Sequence, residues 1–257
     1  MDLDPRLTAL RDLGGFFALR VREDADRHLP TLAQAYGPGR QYVRHAPPSA
    51  PRTDHPTDDP LTVRVRRVAA ALRTREPRVA ASVAHQGLAA RLWSVALGCA
   101  ALYGAVPDLS PSTLRWDPEG SAPDDLWLAE VRPLPGDAAS LADVVLHGHL
   151  QPLSAALRAR HRVAPALLRG NAASALAAAA REFTRHARPD AAARATRLSR
   201  DLLAHPALAG AGTLTGTPAT AFRRRSCCLY YRVPGGGVCG DCCFVRPPRS
   251  SPRAPSA

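Results

Sequence analysis

The sequence contains no lysine, so all 34 of its basic side chains are arginines. A single arginine is therefore weak evidence for any particular function. Aromatic residues make up only 5% of the 257 residues, whereas apolar residues reach 46%, an ordinary value for a globular protein. These values predict a real hydrophobic core, in one large domain or in a domain with a small appendage.

Long apolar runs are also missing. The alanine-rich run over residues 172–180 is too short to cross a bilayer. The first five residues carry two aspartates, unlike the basic start of a secretory leader. We therefore expect a soluble cytoplasmic protein without a transmembrane segment, for which peripheral membrane contact stays open. In that reducing compartment, clustered cysteines are more often metal ligands than disulfides.

Common catalytic motifs are absent as well. No G-x-G-x-x-G follows a predicted strand, and neither a Walker A motif nor a G-x-S-x-G motif occurs. The acidic pairs Asp58-Asp59 and Asp124-Asp125 fall in predicted loops, where we interpret them as solvating residues. Since no nicotinamide or flavin motif is found, a redox reaction of this chain would need electrons from another protein.

Hydrophobic spacing predicts a mainly α fold with a small β hairpin, an α+β protein with a cysteine-rich C-terminal subdomain. The helix over 79–103 is apolar nearly all round, which predicts a buried central helix. The other predictions are two helices within 3–35 that break at Gly14-Gly15, a long loop over 37–60, a helix over 61–75, two pairing strands over 113–116 and 126–131, and helices over 138–205 interrupted at Pro152, Pro165, Gly170 and Pro189.

This pattern divides the chain into a mainly helical body over 1–218, a cysteine segment over 219–245 and a disordered tail over 246–257. The formal net charge is +12, and residues 223–257 contribute seven arginines against one aspartate. Since no nucleic-acid-binding motif accompanies this charge, no nucleic-acid partner is expected.

Five of the six cysteines lie in the cysteine segment. Cys227 and Cys228 are adjacent, ten residues separate them from Cys239, and two more separate Cys239 from Cys242. Four thiolates can hold either zinc or an iron–sulfur cluster. Adjacent cysteines converge poorly on a single ion, so the spacing favours a two-iron cluster, while a structural zinc site stays open.

Two features inside the segment have alternative interpretations. The run Pro234–Gly237 either presents backbone amides to an anionic cluster or forms an ordinary turn between strands. The arginines of the segment either offset a cluster charge of about −2 to −3 and raise its potential, or form a solvated basic patch. The arginines concerned are Arg223, Arg224, Arg225 and Arg232.

The Cys-Cys-x₁₀-Cys-x₂-Cys spacing resembles the C-terminal iron–sulfur motif of the FhuF family of ferric-siderophore reductases. The flanking stretches 226–232 and 240–242 resemble actinobacterial members of that family. A weaker likeness extends to His85–Trp93 and Leu168–Leu176, which resemble motifs in the body of the family.

The resemblance implies a [2Fe–2S] cluster bound by Cys227, Cys228, Cys239 and Cys242, with Cys243 as an alternative ligand. It also implies reduction of siderophore-bound Fe(III) with release of Fe(II), using electrons from a ferredoxin-like donor or another reductase. The alternatives are a redox or iron sensor, an electron carrier without reductase activity, and a structural zinc module.

Other candidates have simpler interpretations. His85, Gln86 and Arg91 are polar breaks in the central helix, and internal hydrogen bonds would satisfy them. Asn171 follows Gly170, which predicts that it caps the start of the next helix. Cys99, in the middle of the central helix, is interpreted as a small buried hydrophobe.

Overall fold

The computed structural model describes residues 7, 9–21, 29–37, 59–215 and 221–248. The predicted loop over 37–60 and the predicted tail over 246–257 lie almost wholly outside these residues, as does part of the predicted helical region over 3–35. Among the described helices, none is long and apolar enough to cross a membrane.

The described chain is mainly helical with three small sheets, which confirms the α+β prediction. The helices are α1 (Leu32–Tyr36), α2 (Pro60–Ala71), α3 (Pro77–Tyr103), α4 (Ala138–Leu141), α5 (Gln151–His161), α6 (Pro165–His186) and α7 (Pro189–Ala204), with a π-helical segment (Ala142–Leu150) between α4 and α5. The strands are β1 (Arg20–Val21), β2 (Ala105–Pro107), β3 (Arg115–Trp116), β4 (Leu126–Leu128), β5 (Pro133–Pro135), β6 (Gly212–Thr215) and β7 (Ala221–Arg224).

Helix α3 is the buried centre of the fold, as its apolar sequence predicts. It begins with Pro77, whose fixed φ suits a first helical turn, and it ends at Gly104, which adopts a left-handed φ of 68°. It packs against α2, α6 and α7, and most of its residues are buried. The cysteine segment contacts the N-terminal half of α3 at Ser82 and Gln86.

The helices after residue 138 agree with the prediction at two of its four interruptions. Helices α6 and α7 begin at Pro165 and Pro189. Pro152 lies in the first turn of α5, where the π-helical segment Ala142–Leu150 passes into an α-helix, so the helix changes type there without leaving the helical conformation. Gly170 lies inside α6, buried against the cysteine segment, so the prediction is wrong there.

The predicted hairpin is confirmed by β3 and β4, which pair antiparallel with Trp116 opposite Leu126. The N-terminal prediction needs correction. The chain does turn at Gly14, but two short 3₁₀ turns flank that glycine, and residues 20–21 form β1, which pairs parallel with β4. Pairing with a strand a hundred residues later outweighs the local helical spacing.

Arg91 forms a buried polar cluster between α3 and the β3–β4 turn. Its Nε donates to Asp125 Oδ1 at 2.8 Å, and its other nitrogens donate to the carbonyls of Gly15, Phe16 and Ala18. Asp125 is only 4% exposed, so its interpretation as a solvating residue is wrong. Arg91, by contrast, is satisfied internally, as expected of a polar break in a buried helix.

Candidate iron–sulfur site

The cysteine segment enters through the β6–β7 hairpin. Alternation along β7 turns Phe222 and Arg224 inward and leaves Ala221 and Arg223 exposed. The backbone N–H of Arg224 donates to the carbonyl of Asp241 at 3.0 Å. That bond joins the start of the segment to its end, so the cysteines are contained in a closed loop.

Cys228 is held against the central helix. The residue is 7% exposed, and its carbonyl accepts a hydrogen bond from Ser82 Oγ of α3 at 2.7 Å. Leu229 then adopts a left-handed φ of 69°, which reverses the chain into a 3₁₀ turn.

The Sγ atoms of Cys228 and Cys239 lie 3.5 Å apart. Two thiolates bound to one tetrahedral metal ion at about 2.3 Å would lie about 3.8 Å apart, so this pair fits a single iron. The hydrogen bond between the two sulfurs lowers the pKa of Cys228 to about 6 and raises that of Cys239.

Cys227 and Cys242 accept backbone hydrogen bonds in the same way. Each Sγ accepts a backbone N–H from two residues later, from Leu229 at 3.2 Å and from Phe244 at 3.3 Å. Amide hydrogen bonds to sulfur stabilise negative charge on a ligand and tune iron–sulfur centres. Burial, and then the neighbouring cysteines, raise the pKa of Cys227.

These four thiols supply the number and kind of ligands that a two-iron cluster needs. Within the described ranges, no three His, Cys, Asp or Glu side chains are grouped as ligands of a single ion. A two-iron cluster needs only two thiolates at each iron, and the pair formed by Cys228 and Cys239 supplies one such position. The donor set, four soft thiolates with amide hydrogen bonds, agrees with iron–sulfur chemistry.

Cys243 and Cys99 are the remaining thiols. Cys243 is partly exposed, and burial followed by the charge of Cys242 raises its pKa. It directly follows Cys242, the last of the four proposed ligands. Cys99 is fully buried in α3, where burial raises its pKa strongly, in agreement with its interpretation as a small hydrophobe.

The glycine run forms a turn. Gly235 adopts a φ of 72°, and the N–H of Gly236 donates to the carbonyl of Val233 at 2.8 Å. A Cβ on Gly236 would lie 2.6 Å from the carbonyl oxygen of Tyr230. The amide of Gly236 is thus committed within the turn, so the turn interpretation holds for this residue.

Asp241 anchors the end of the segment on helix α6. Its carboxylate accepts from Ser174 Oγ at 2.6 Å and pairs with Arg181 at 3.2 Å, and the residue is only 8% exposed. Ser82 and Arg181 were not among the sequence candidates, and Ser174 was included only as part of the stretch Leu168–Leu176. Their signal is a small or polar residue on an otherwise apolar helix face, which is too common to single out a site.

Asn171 is not a helix cap. It lies inside α6, where its amide nitrogen donates to the carbonyl and hydroxyl oxygens of Ser82 at 2.8 and 3.1 Å. Its amide oxygen accepts from Arg224 Nη2 at 2.5 Å. The cap prediction is wrong because helix α6 already begins at Pro165. Asn171 instead joins helices α3 and α6 to the cysteine segment.

His85 does not face the cysteines through a hydrogen bond. Its Nε2 lies 3.1 Å from Ser154 Oγ, on the side of helix α5. Gln86 is turned towards the segment, where its amide oxygen accepts from Arg224 at 3.3 Å. Of the three polar breaks in the central helix, only Gln86 therefore belongs to the site.

Comparison of the sequence with known protein families agrees with this geometry. The family model of the FhuF 2Fe-2S C-terminal domain matches residues 224–244, from the buried arginine of β7 to the residue after the last cysteine. The segment is thus a [2Fe–2S]-binding domain, and its cofactor is a [2Fe–2S] cluster.

This match supports an FhuF-like assignment and is confined to the C-terminal segment. No curated protein matches the chain.

Proposed function

We propose that this protein is a cytoplasmic ferric-siderophore reductase that serves iron acquisition. One electron reduces siderophore-bound Fe(III), and Fe(II) is released. The observation that carries the proposal is the FhuF-type 2Fe-2S domain at residues 224–244, in which every cysteine except Cys228 is partly exposed. When bound, a [2Fe–2S] cluster supplies one-electron transfer at a potential that its ligands and surroundings tune.

The proposed ligands are Cys227, Cys228, Cys239 and Cys242. All but Cys228 are partly exposed, so the site reaches the surface of the protein. A shallow position suits electron exchange with a partner that touches the surface. It also suits a substrate too large to enter the helical body.

The surface around the cysteines combines apolar and basic side chains. Of the five large hydrophobic side chains that are exposed in the described residues, four lie in this segment: Tyr230, Val238, Phe244 and Val245. Arg223, Arg225 and Arg246 are exposed beside them, whereas Asp241 is buried and paired. This surface would suit an acidic, ferredoxin-like electron donor and an anionic ferric chelate.

The proposed reaction requires no acid, base or nucleophile from the chain. Siderophores hold Fe(III) through hard oxygen donors, and an added electron weakens those bonds because Fe(II) is a softer ion. The work of the protein is to position the thiolates, to cover them from one side and to set their electrostatic surroundings.

The same proposal assigns the division of labour along the chain. The helical body over 1–218 would serve as the support, the segment over 219–245 as the redox domain and residues 246–257 as a tail. Cys228 and Asp241 connect the redox segment to α3 and α6 through Ser82 and Ser174.

Serine substitution of each proposed ligand tests the function. C227S, C228S, C239S and C242S should each lose the visible absorption and reduced-state EPR signal of the cluster, together with the reduction of a ferric hydroxamate chelate. C243S is the matched control, since it removes a neighbouring thiol of the same segment, and it should keep both properties. Purified protein, a chemical reductant and trapping of Fe(II) suffice as the assay.

The outcomes separate the alternatives. Chelate reduction that persists after loss of the cluster would contradict the proposal. A cluster that reduces chemically but is not oxidised by ferric chelate would indicate an electron carrier or sensor. Loss of the cluster in C243S but not in C242S would move the fourth ligand to Cys243.

A further inference from the structure

Arg224 is a buried charge on the inner face of β7. It is 3% exposed, although it belongs to a segment whose other arginines reach solvent. Its guanidinium donates to the carbonyls of Ser226 and Leu167, and to the side-chain oxygens of Asn171 and Gln86. Helices α3 and α6 and the start of the cysteine segment therefore all hold it in place.

These acceptors are all neutral. In the described part of the chain, no carboxylate forms an ion pair with Arg224. The comparison with Arg91 is direct, because that equally buried arginine binds Asp125 at 2.8 Å. A buried charge without a partner is costly, so a fold that keeps one needs a compensating negative charge nearby.

Arg224 shares a cavity with Cys228, Cys239 and Asp241. The carboxylate of Asp241 is already paired with Arg181 and accepts a hydrogen bond from Ser174. The two thiols of the same cavity become thiolates when they bind a cluster, so they can supply the negative charge beside Arg224.

We infer that Arg224 is the buried counter-charge of the [2Fe–2S] cluster and a positioning residue that raises its midpoint potential. Reduction adds one negative charge to a site whose thiolates and cluster are already negative. A fixed guanidinium in a poorly hydrated position offsets that addition, and solvent screens it less than it screens an exposed arginine.

The body of the protein is built around this arginine. Gln86 and Asn171 orient the guanidinium, and Gly170 leaves the space for it, since a Cβ there would lie 3.0 Å from Arg224 Nη2. The two body stretches that resemble the FhuF family, His85–Trp93 and Leu168–Leu176, contain Gln86, Gly170 and Asn171. Their role is to place one charge beside the cluster.

The test compares neighbouring arginines. R224Q and R223Q remove the same formal charge from consecutive positions of β7, one buried and one exposed. The midpoint potential is measured by redox titration of the visible absorption, with mediators and without siderophore. In R224Q, the ratio of reduced to oxidised protein at a fixed potential should fall at least tenfold, which is about 59 mV for one electron. R223Q should change that ratio less than threefold.

Further variants cover a failure of R224Q to bind the cluster or to fold. If R224Q folds by circular dichroism but binds no cluster, R224K should restore binding because it restores the charge. If R224Q does not fold, Q86E decides the matter, since it places a carboxylate beside the guanidinium and should lower the midpoint potential.

The contradicting results are equally definite. Equal midpoint potentials in R224Q, R223Q and the wild type would overturn the inference. So would a folded R224K that binds no cluster, because the arginine would then serve only as a hydrogen-bonding support. If R224Q does not fold, an unchanged midpoint potential in Q86E would also overturn the inference.

The inference rests on the [2Fe–2S] cluster and is independent of the acceptor. A lowered potential in R224Q together with no chelate reduction in the wild type would support the role of Arg224 and reject the proposed reductase. Normal chelate reduction by the wild type, together with an unchanged midpoint potential in R224Q, would support the proposed reductase and reject the role of Arg224.

Discussion

At the scale of single residues, burial separates side chains that look equivalent in the sequence. Arg223, Arg224 and Arg225 are consecutive, yet only Arg224 is buried. Alternation along a strand predicts that neighbours face opposite sides, but it does not say which side is the interior. The packing of β7 on helix α6 decides which side is the interior, and Arg224 alone of the three arginines is therefore buried.

His85 provides a prediction at this scale. Burial, and then the charge of Arg224, lowers its pKa to about 3, and its Nδ1 has no hydrogen-bond partner among the described residues. Above pH 6.5 neither state of the protein binds a proton there, so His85 has no effect on stability. As the pH falls below 6.5, the unfolded chain takes up a proton that the folded protein refuses, and stability is lost at about 1.4 kcal/mol per pH unit.

The variant H85Q removes that proton uptake. Between pH 7.5 and 5.5, the free energy of unfolding should therefore fall by about 1.4 kcal/mol less in H85Q than in the wild type. Urea unfolding followed by circular dichroism at both pH values measures the difference, with cluster content checked by absorbance. Equal losses in the two proteins would show that His85 is protonated equally in the folded and unfolded states.

At the scale of elements, the contact between α6 and the cysteine segment depends on a glycine. A Cβ at Gly170 would lie 2.3 Å from Ser226 Oγ. Ser226 Oγ donates to the carbonyl of Ala166 at 2.8 Å, so it cannot turn away without losing that bond. The segment therefore packs directly against the backbone of a helix, and a glycine inside that helix becomes a requirement.

G170A should destabilise the protein by roughly 1–3 kcal/mol through overpacking, and it should lower the amount of cluster bound. G87A is the matched control, because Gly87 also lies within a helix and its Cβ would meet no atom within 4 Å. That variant should gain up to about 1 kcal/mol from helix propensity. Urea unfolding and iron content measure both, and equal effects of the two substitutions would contradict the packing argument.

At the scale of the whole molecule, different interactions stabilise the core and the cysteine segment. The core is a continuous set of buried apolar side chains from the helices and the small sheets. The segment over 221–248 contributes few buried apolar residues, namely Phe222, Cys228 and Val233. Its order depends on a few polar contacts with the body and on the metal bound by its cysteines.

Removal of iron should therefore loosen the segment and leave the core in place. Chelation under reducing conditions is expected to increase amide hydrogen exchange in residues 221–244, while α3 and α6 keep their protection. Mass spectrometry of peptides from the holo and apo forms measures this. A uniform increase over the whole chain would show instead that the cluster stabilises the entire fold.

The sequence by itself determined the features that depend on local periodicity and spacing. These are the buried central helix, the helices that begin at Pro165 and Pro189, the β3–β4 hairpin and the spacing of Cys227, Cys228, Cys239 and Cys242. Each follows from residues within a few turns of one another, and from a cysteine pattern with few chemical solutions.

Only the tertiary structure decided which polar residues meet. Arg224 is separated from Asn171 by 53 residues and from Gln86 by 138, and Arg91 is separated from Asp125 by 34. No local pattern encodes such partners, because they depend on how helices and loops pack once their apolar faces are buried. For the same reason β1 became a strand, and an apparent helix cap became a support of the iron–sulfur site.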